Sequence, residues 1–109
     1  MKRIKEKQKW DFHNATRYIY LDNDNIIGSF VVSYYDDWTK MSGLYIQPEY
    51  RGKGYFHKLM KDLMKEIKDP FFIVVRKGAW IIEEYKKYGF EWYSEDDGDD
   101  RFEFMFNEN

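Results

Sequence analysis

Within residues 40–68 the chain changes its period, and that change limits the folds open to it. Residues 40–46 suit a strand, and Pro48 then ends pairing because it has no N–H to give to a ladder. After Arg51-Gly52-Lys53-Gly54 the apolar side chains recur every three or four positions, at Phe56, Leu59, Met60, Leu63, Met64 and Ile67. That spacing predicts a helix over residues 54–68, stopped by Asp69-Pro70. A strand, a short glycine loop and a helix in this order suit an anion. The first amides of a helix lack partners and carry a partial positive charge, and glycines let a phosphate approach the backbone. Arg51 and Lys53 would add full charges beside them.

The remaining segments follow from the same kind of reading. Residues 16–21 and 26–35 are rich in β-branched and aromatic residues and flank the turn cluster Asp22-Asn23-Asp24-Asn25, so they predict a hairpin. Gly28 marks a bulge or a close approach within its second strand. Asp36-Asp37-Trp38-Thr39 makes the next turn. Phe71-Phe72-Ile73-Val74-Val75 is apolar throughout, as in a strand buried on both faces, and predicts a parallel neighbour for the strand ending at Ile46. A second helix is expected over residues 79–88, capped by Gly89, then a C-terminal hairpin from residues 90–93 and 101–106 around an acidic loop. The expected order is β-β-β-α-β-α-β-β: an α+β fold with a mixed sheet, in which an antiparallel meander precedes a βαβ unit, a second helix and a hairpin. Residues 1–15 read as a basic arm or short edge strand, and residues 16–109 as one domain.

Charge and composition exclude several classes. Eighteen Lys and Arg against twenty Asp and Glu leave a net charge of −2, which argues against a general nucleic-acid binder. The basic residues 1–9, with Trp10 and Phe12 as stacking rings, keep such an arm as a minor alternative. No cysteine is present, and the two histidines, His13 and His57, are far apart, so no metal is expected. No apolar run follows the basic start, so neither a leader nor a membrane span is expected, and a cytoplasmic setting is.

Gly52-Lys53-Gly54 fits other phosphate motifs poorly. His57 occupies the third glycine position of a dinucleotide fingerprint, and no Ser or Thr follows the Gly-Lys pair as a Walker loop requires. Arg51-Gly52-Lys53-Gly54 between strand and helix, with Tyr85-Lys86-Lys87-Tyr88-Gly89-Phe90 one βα unit later, resembles instead the GNAT superfamily of N-acetyltransferases over residues 16–106. In that family Arg or Gln, then x-x-Gly-x-Gly/Ala, cradles the pyrophosphate of acetyl-CoA. Arg51 and Gly54 fill the first two fixed positions, Phe56 stands where a small residue is usual, and Gly78 stands where an Asn is frequent.

The resemblance implies an acyl-CoA N-acyltransferase-like fold whose sheet splays between the strand ending at Ile46 and residues 71–75. It implies cofactor contacts from Tyr45, Ile46, Arg51, Gly52, Lys53, Gly54, Tyr55, Phe56 and His57, and a proton donor to the leaving thiolate at Tyr85. The reaction implied is direct transfer of acetyl from acetyl-CoA to a primary amine. Five carboxylates within residues 95–100 suggest a cationic acceptor, a protein lysine or a polyamine. No carboxylate stands on the strand leading into the loop, which leaves Asp36, Asp37 and the acidic run as distant bases. It also keeps open a catalytically degenerate module that binds CoA or a protein. The chain before residue 16 is too short for the family's usual first strand and both of its first two helices, and in relatives those helices wall the acceptor pocket. The acceptor site is then open, or a second subunit of a homodimer supplies the wall.

Overall fold

The computed structural model describes residues 1–9, 13–68 and 70–106, apart from the side chain of Asp96. Trp10, Phe12 and Asp69 lie outside the described residues. Four strands come first: β1 (Lys2–Lys9), β2 (Asn14–Asp22), β3 (Asn25–Tyr34) and β4 (Thr39–Ile46). A 3₁₀ turn at Pro48–Tyr50 and helix α1 (Tyr55–Met64) lead to β5 (Phe71–Arg76), helix α2 (Ile82–Lys87), β6 (Phe90–Asp96) and β7 (Asp99–Phe104). They form one sheet in the order β1-β2-β3-β4-β5-β7-β6, in which only the β4–β5 pair is parallel.

Three expectations need correction. The basic N-terminus, expected as an arm or a short edge strand, is an edge strand of eight residues that all pair with β2, so the sheet has seven strands where the expected order counted six. Residues 95–100 are not a loop. Glu95 and Asp96 end β6, Asp99 and Asp100 begin β7, and only Asp97-Gly98 turns. Both turn residues have positive φ, 51° and 85°, the pattern that lets a two-residue hairpin follow the strand twist. Each helix is also shorter than expected. α1 closes at Met64, with the Lys65 amide bonded to the carbonyls of Asp62 and Leu63. α2 begins only at Ile82, preceded by a single turn in which the Ile82 N–H donates to the Ala79 carbonyl.

Both helices pack on one sheet face, over a core that includes Tyr18, Tyr20, Phe30, Leu59, Leu63, Phe71 and Phe90. Seven of its sixteen buried residues carry rings, and each ring buries a large area. By strand alternation Ile19, Val31 and Val74 point to the opposite face, where no helix of the described residues stands. β4 and β5 pair only through Thr39–Phe71, Lys40–Phe72 and Met41–Ile73. Residues 42–46 and 74–76 continue without pairing to each other, and this opens the sheet. Among the described residues no helix is long and apolar enough to cross a membrane.

Candidate active site

The loop after β4 exposes backbone donors. The amides of Tyr50 and Arg51 close on the carbonyls of Gln47 and Pro48, and Lys58 N–H reaches Gly54. Between them, the amides of residues 52–57 have no hydrogen-bond partner among the described residues, and no side chain caps α1. Gly52 and Gly54 sit at φ 76° and 85°, a left-handed region costly for other residues, which keeps the loop tight. A row of free amides at a helix start is an anion-binding arrangement.

These donors face a cavity of about 280 Å³, lined in part by Tyr45, Ile46, Arg51, Gly52, Gly54, Tyr55, Phe56 and His57. Eight of the nine residues expected to bind cofactor therefore share one cavity. Lys53 does not line it; its Nζ lies 5.9 Å from the centre of the Tyr50 ring. Arg51 Nε donates to the Ile46 carbonyl at 2.8 Å, and its guanidinium lies 5.1 Å from the Tyr45 ring, so it braces the loop against β4. His57 Nδ1 shares a 2.7 Å hydrogen bond with the Tyr88 hydroxyl, tying the first turn of α1 to the end of α2. Phe56 forms a wall and not a plug. Its ring packs toward Tyr85, Tyr88 and Trp80 at 6.0, 6.2 and 6.4 Å, and the cavity beside it stays open.

A second cavity of about 600 Å³ continues from the first through the splay between β4 and β5. Leu44, Tyr45, Arg51, Trp80 and Ile81 border both. Tyr85 lines the second cavity although only 3% of it is exposed. Burial raises the pKa of its phenol, so the proton stays on the oxygen across the working range. No described group hydrogen-bonds to that hydroxyl.

Two proposed bases are removed by position. Asp36 and Asp37 lie in the β3–β4 turn, at the opposite end of β4 from the loop, about 23 Å away along the strand. Two of the five carboxylates in the acidic run are engaged elsewhere: Glu95 accepts from Lys77 at 2.7 Å, and buried Asp100 accepts from the Trp92 indole at 3.1 Å. No carboxylate lines the cavity that holds Tyr85.

Sequence reasoning missed Trp80, Ile81 and Glu84, which α2 brings across the splay to the first cavity. Trp80 is 67% exposed, a large apolar ring kept at the cleft mouth. Its position just before a helix, in Gly78-Ala79-Trp80-Ile81, was the only available signal.

Gly28 sets how closely β3 holds the cofactor side of β4. A Cβ there would lie 2.5 Å from the Tyr45 carbonyl oxygen, a backbone atom that cannot swing away. Gly28→Ala is therefore expected to cost about 1–3 kcal/mol as overpacking. Thermal melting checks the cost, and a melting point unchanged from wild type would refute the constraint.

A family model for the acetyltransferase (GNAT) family matches residues 2–90. The chain belongs to that family. A comparison with curated proteins gives no match. Solved structures of similar fold include the PaiA N-acetyltransferase of Thermoplasma acidophilum in complex with coenzyme A, 20% identical over 84% of this chain and 61% of that one, with a TM-score of 0.72. An acyl-CoA N-acyltransferase from Pseudomonas aeruginosa is 16% identical over 84% of this chain and 69% of its own, with a TM-score of 0.67. Escherichia coli ElaA is also 16% identical, over 84% and 68%, with a TM-score of 0.68. The present chain thus spans about three-fifths of the Thermoplasma protein's length. At these identities the likeness establishes the fold: a mixed sheet with two helices, of the acyl-CoA N-acyltransferase kind.

Proposed function

We propose that the chain is an acetyl-CoA-dependent N-acetyltransferase whose acceptor is a primary amine. One observation carries this reading: a row of unbonded amides opens into a cleft that runs through the β4–β5 splay to Tyr85. The amides of residues 52–57 would hold the diphosphate of the cofactor, with Arg51 and His57 beside them. Gln47 N–H donates to Ile27 on the β3 side, so alternation along β4 aims the Ile46 N–H into the gap. That amide is placed to polarise a thioester carbonyl.

The amine nitrogen attacks the thioester carbon, the N–C bond forms and the C–S bond breaks. The proton lost from nitrogen goes to solvent, and Tyr85 supplies one to the leaving sulfur and regains it from solvent. With no carboxylate at that end of the cleft, only the fraction of amine already deprotonated reacts. No helix of the described residues covers the sheet face opposite α1 and α2, where Tyr35, Trp38 and Phe72 pack on one another, and an acceptor side without a helical wall suits a lysine presented by another protein better than an enclosed small amine.

The missing base also favours a second reading, a domain that binds coenzyme A without turnover. Titration calorimetry with coenzyme A and a thiol-release assay with acetyl-CoA and amines separate the two. Binding with release supports the transferase, binding without release supports the second reading, and no binding removes both. Gly54→Val is expected to weaken coenzyme A binding at least about tenfold, because a branched residue resists positive φ and crowds the amides.

A further inference from the structure

The basic N-terminus, once folded as β1, does not stand alone. Arg3 and Lys5 both lie 5.5 Å from the Tyr18 ring, on the face that carries α1. Lys7 and Lys9 share that face by alternation, and both line a shallow groove beside Tyr34. The four cations stand at every second residue along an exposed edge strand, about 20 Å from first to last. Beside them α1 presents a second row, Lys58, Lys61 and Lys65, all exposed.

The rows meet at Asp62. Its carboxylate lies 3.6 Å from Arg3, 3.6 Å from Lys58 and 3.9 Å from Lys65. One negative charge cannot neutralise three positive ones, and along β1, α1 and the turn that follows α1 only Glu66 adds another on this side. Lysines on an edge strand are explained by protection against unwanted pairing, but that does not account for the helix row. A chain of net charge −2 thus gathers seven of its eighteen cations on this face and carries its acidic hairpin at the far edge of the sheet.

We propose that this face binds the phosphate backbone of a nucleic acid without reading its sequence. Linear rows of cations match a phosphate chain. The exposed aromatic rings that would anchor a protein partner lie elsewhere: Tyr45 and Trp80 border the cleft, and Trp92 and Tyr93 stand on β6. The cofactor cleft is not part of the surface, so the two sites are separable.

The test is fluorescence anisotropy with a labelled DNA duplex of about 20 base pairs, titrated from roughly 50 to 200 mM salt. About five phosphate contacts predict a log–log slope near −4.5, roughly a 500-fold loss over that range. Lys5→Glu with Lys7→Glu and Lys9→Glu should weaken binding at low salt at least about tenfold and flatten the slope to near −2. Lys2→Glu with Arg17→Glu and Lys40→Glu changes net charge equally, but on the other sheet face, and should leave the slope in place. Melting curves and coenzyme A affinity verify folding. If the Glu variant does not fold, Gln at the same three positions takes its place. No binding at low salt, equal loss in both variants, or tighter binding to polyglutamate or anionic-lipid vesicles would overturn the proposal.

Discussion

Tyr85→Phe is expected to lower kcat by about 10²–10³-fold while leaving KM for acetyl-CoA and the melting point near wild type. The ring sits in the core, 6.0 Å from Phe56 and 6.1 Å from Phe90, and phenylalanine fills the same space. The hydroxyl bonds to no described group, so its removal breaks no structural hydrogen bond. A purely structural tyrosine would therefore show no kinetic effect, and a catalytic one shows a large effect without loss of stability. The pH dependence sharpens the distinction. Burial raises the phenol's pKa, so Tyr85 remains a donor throughout the range in which the amine deprotonates. The wild-type rate should climb with pH as free amine accumulates, and the variant should climb in parallel from a lower baseline. A kcat within threefold of wild type, by thiol release under saturating cofactor, would remove Tyr85 from the chemistry.

Local patterns carried much of the fold. The change from strand to helical period around residues 46–56 is local, so the loop and α1 could be read directly, and eight of the nine residues expected to contact cofactor line one cavity. The turns at Asn23-Asp24 and Asp97-Gly98 are likewise local, since short polar residues and glycine accept positive φ. β1 was not legible. Lys-Arg-Ile-Lys-Glu-Lys-Gln-Lys shows no apolar alternation, because an edge strand open to water needs none, and its pairing joins residues up to 19 positions apart, from Lys9 with Asn14 to Lys2 with Leu21. Trp80 and Glu84 reach the cavity only because α2 folds back over the splay, a placement no local spacing records. The distant carboxylates failed for the same reason: Asp36 and Asp37 are close to the loop in sequence, yet the length of β4 separates them from it.

Asp62→Ala is expected to cost about 2–3 kcal/mol, the largest stability loss of any single polar substitution considered. Asp62 is 5% exposed and accepts from the Tyr20 hydroxyl at 2.8 Å, which fastens α1 to β2 beneath the cation rows. Breaking a buried charge pair costs about 3–5 kcal/mol, but Lys58 and Lys65 are largely exposed and their share is screened by water, so the lower range applies. Burial alone would raise the carboxyl's pKa. The Tyr20 hydrogen bond and the charges of Lys58, Arg3 and Lys65 outweigh it and hold the group below the usual carboxylate value. A pKa depressed in the folded state contributes stability above the unfolded value, near 4, and that contribution fades as pH falls through the folded value. Wild type and Asp62→Ala should therefore differ most at neutral pH and converge in acid. Asp62→Asn keeps an acceptor for Tyr20 and loses only the charge, so it should fall between them and, by freeing three cations, bind the duplex more tightly. Urea titrations at neutral and acid pH decide the matter, and a gap between wild type and Asp62→Ala that stays constant with pH would show that the carboxylate's charge does not hold α1 in place.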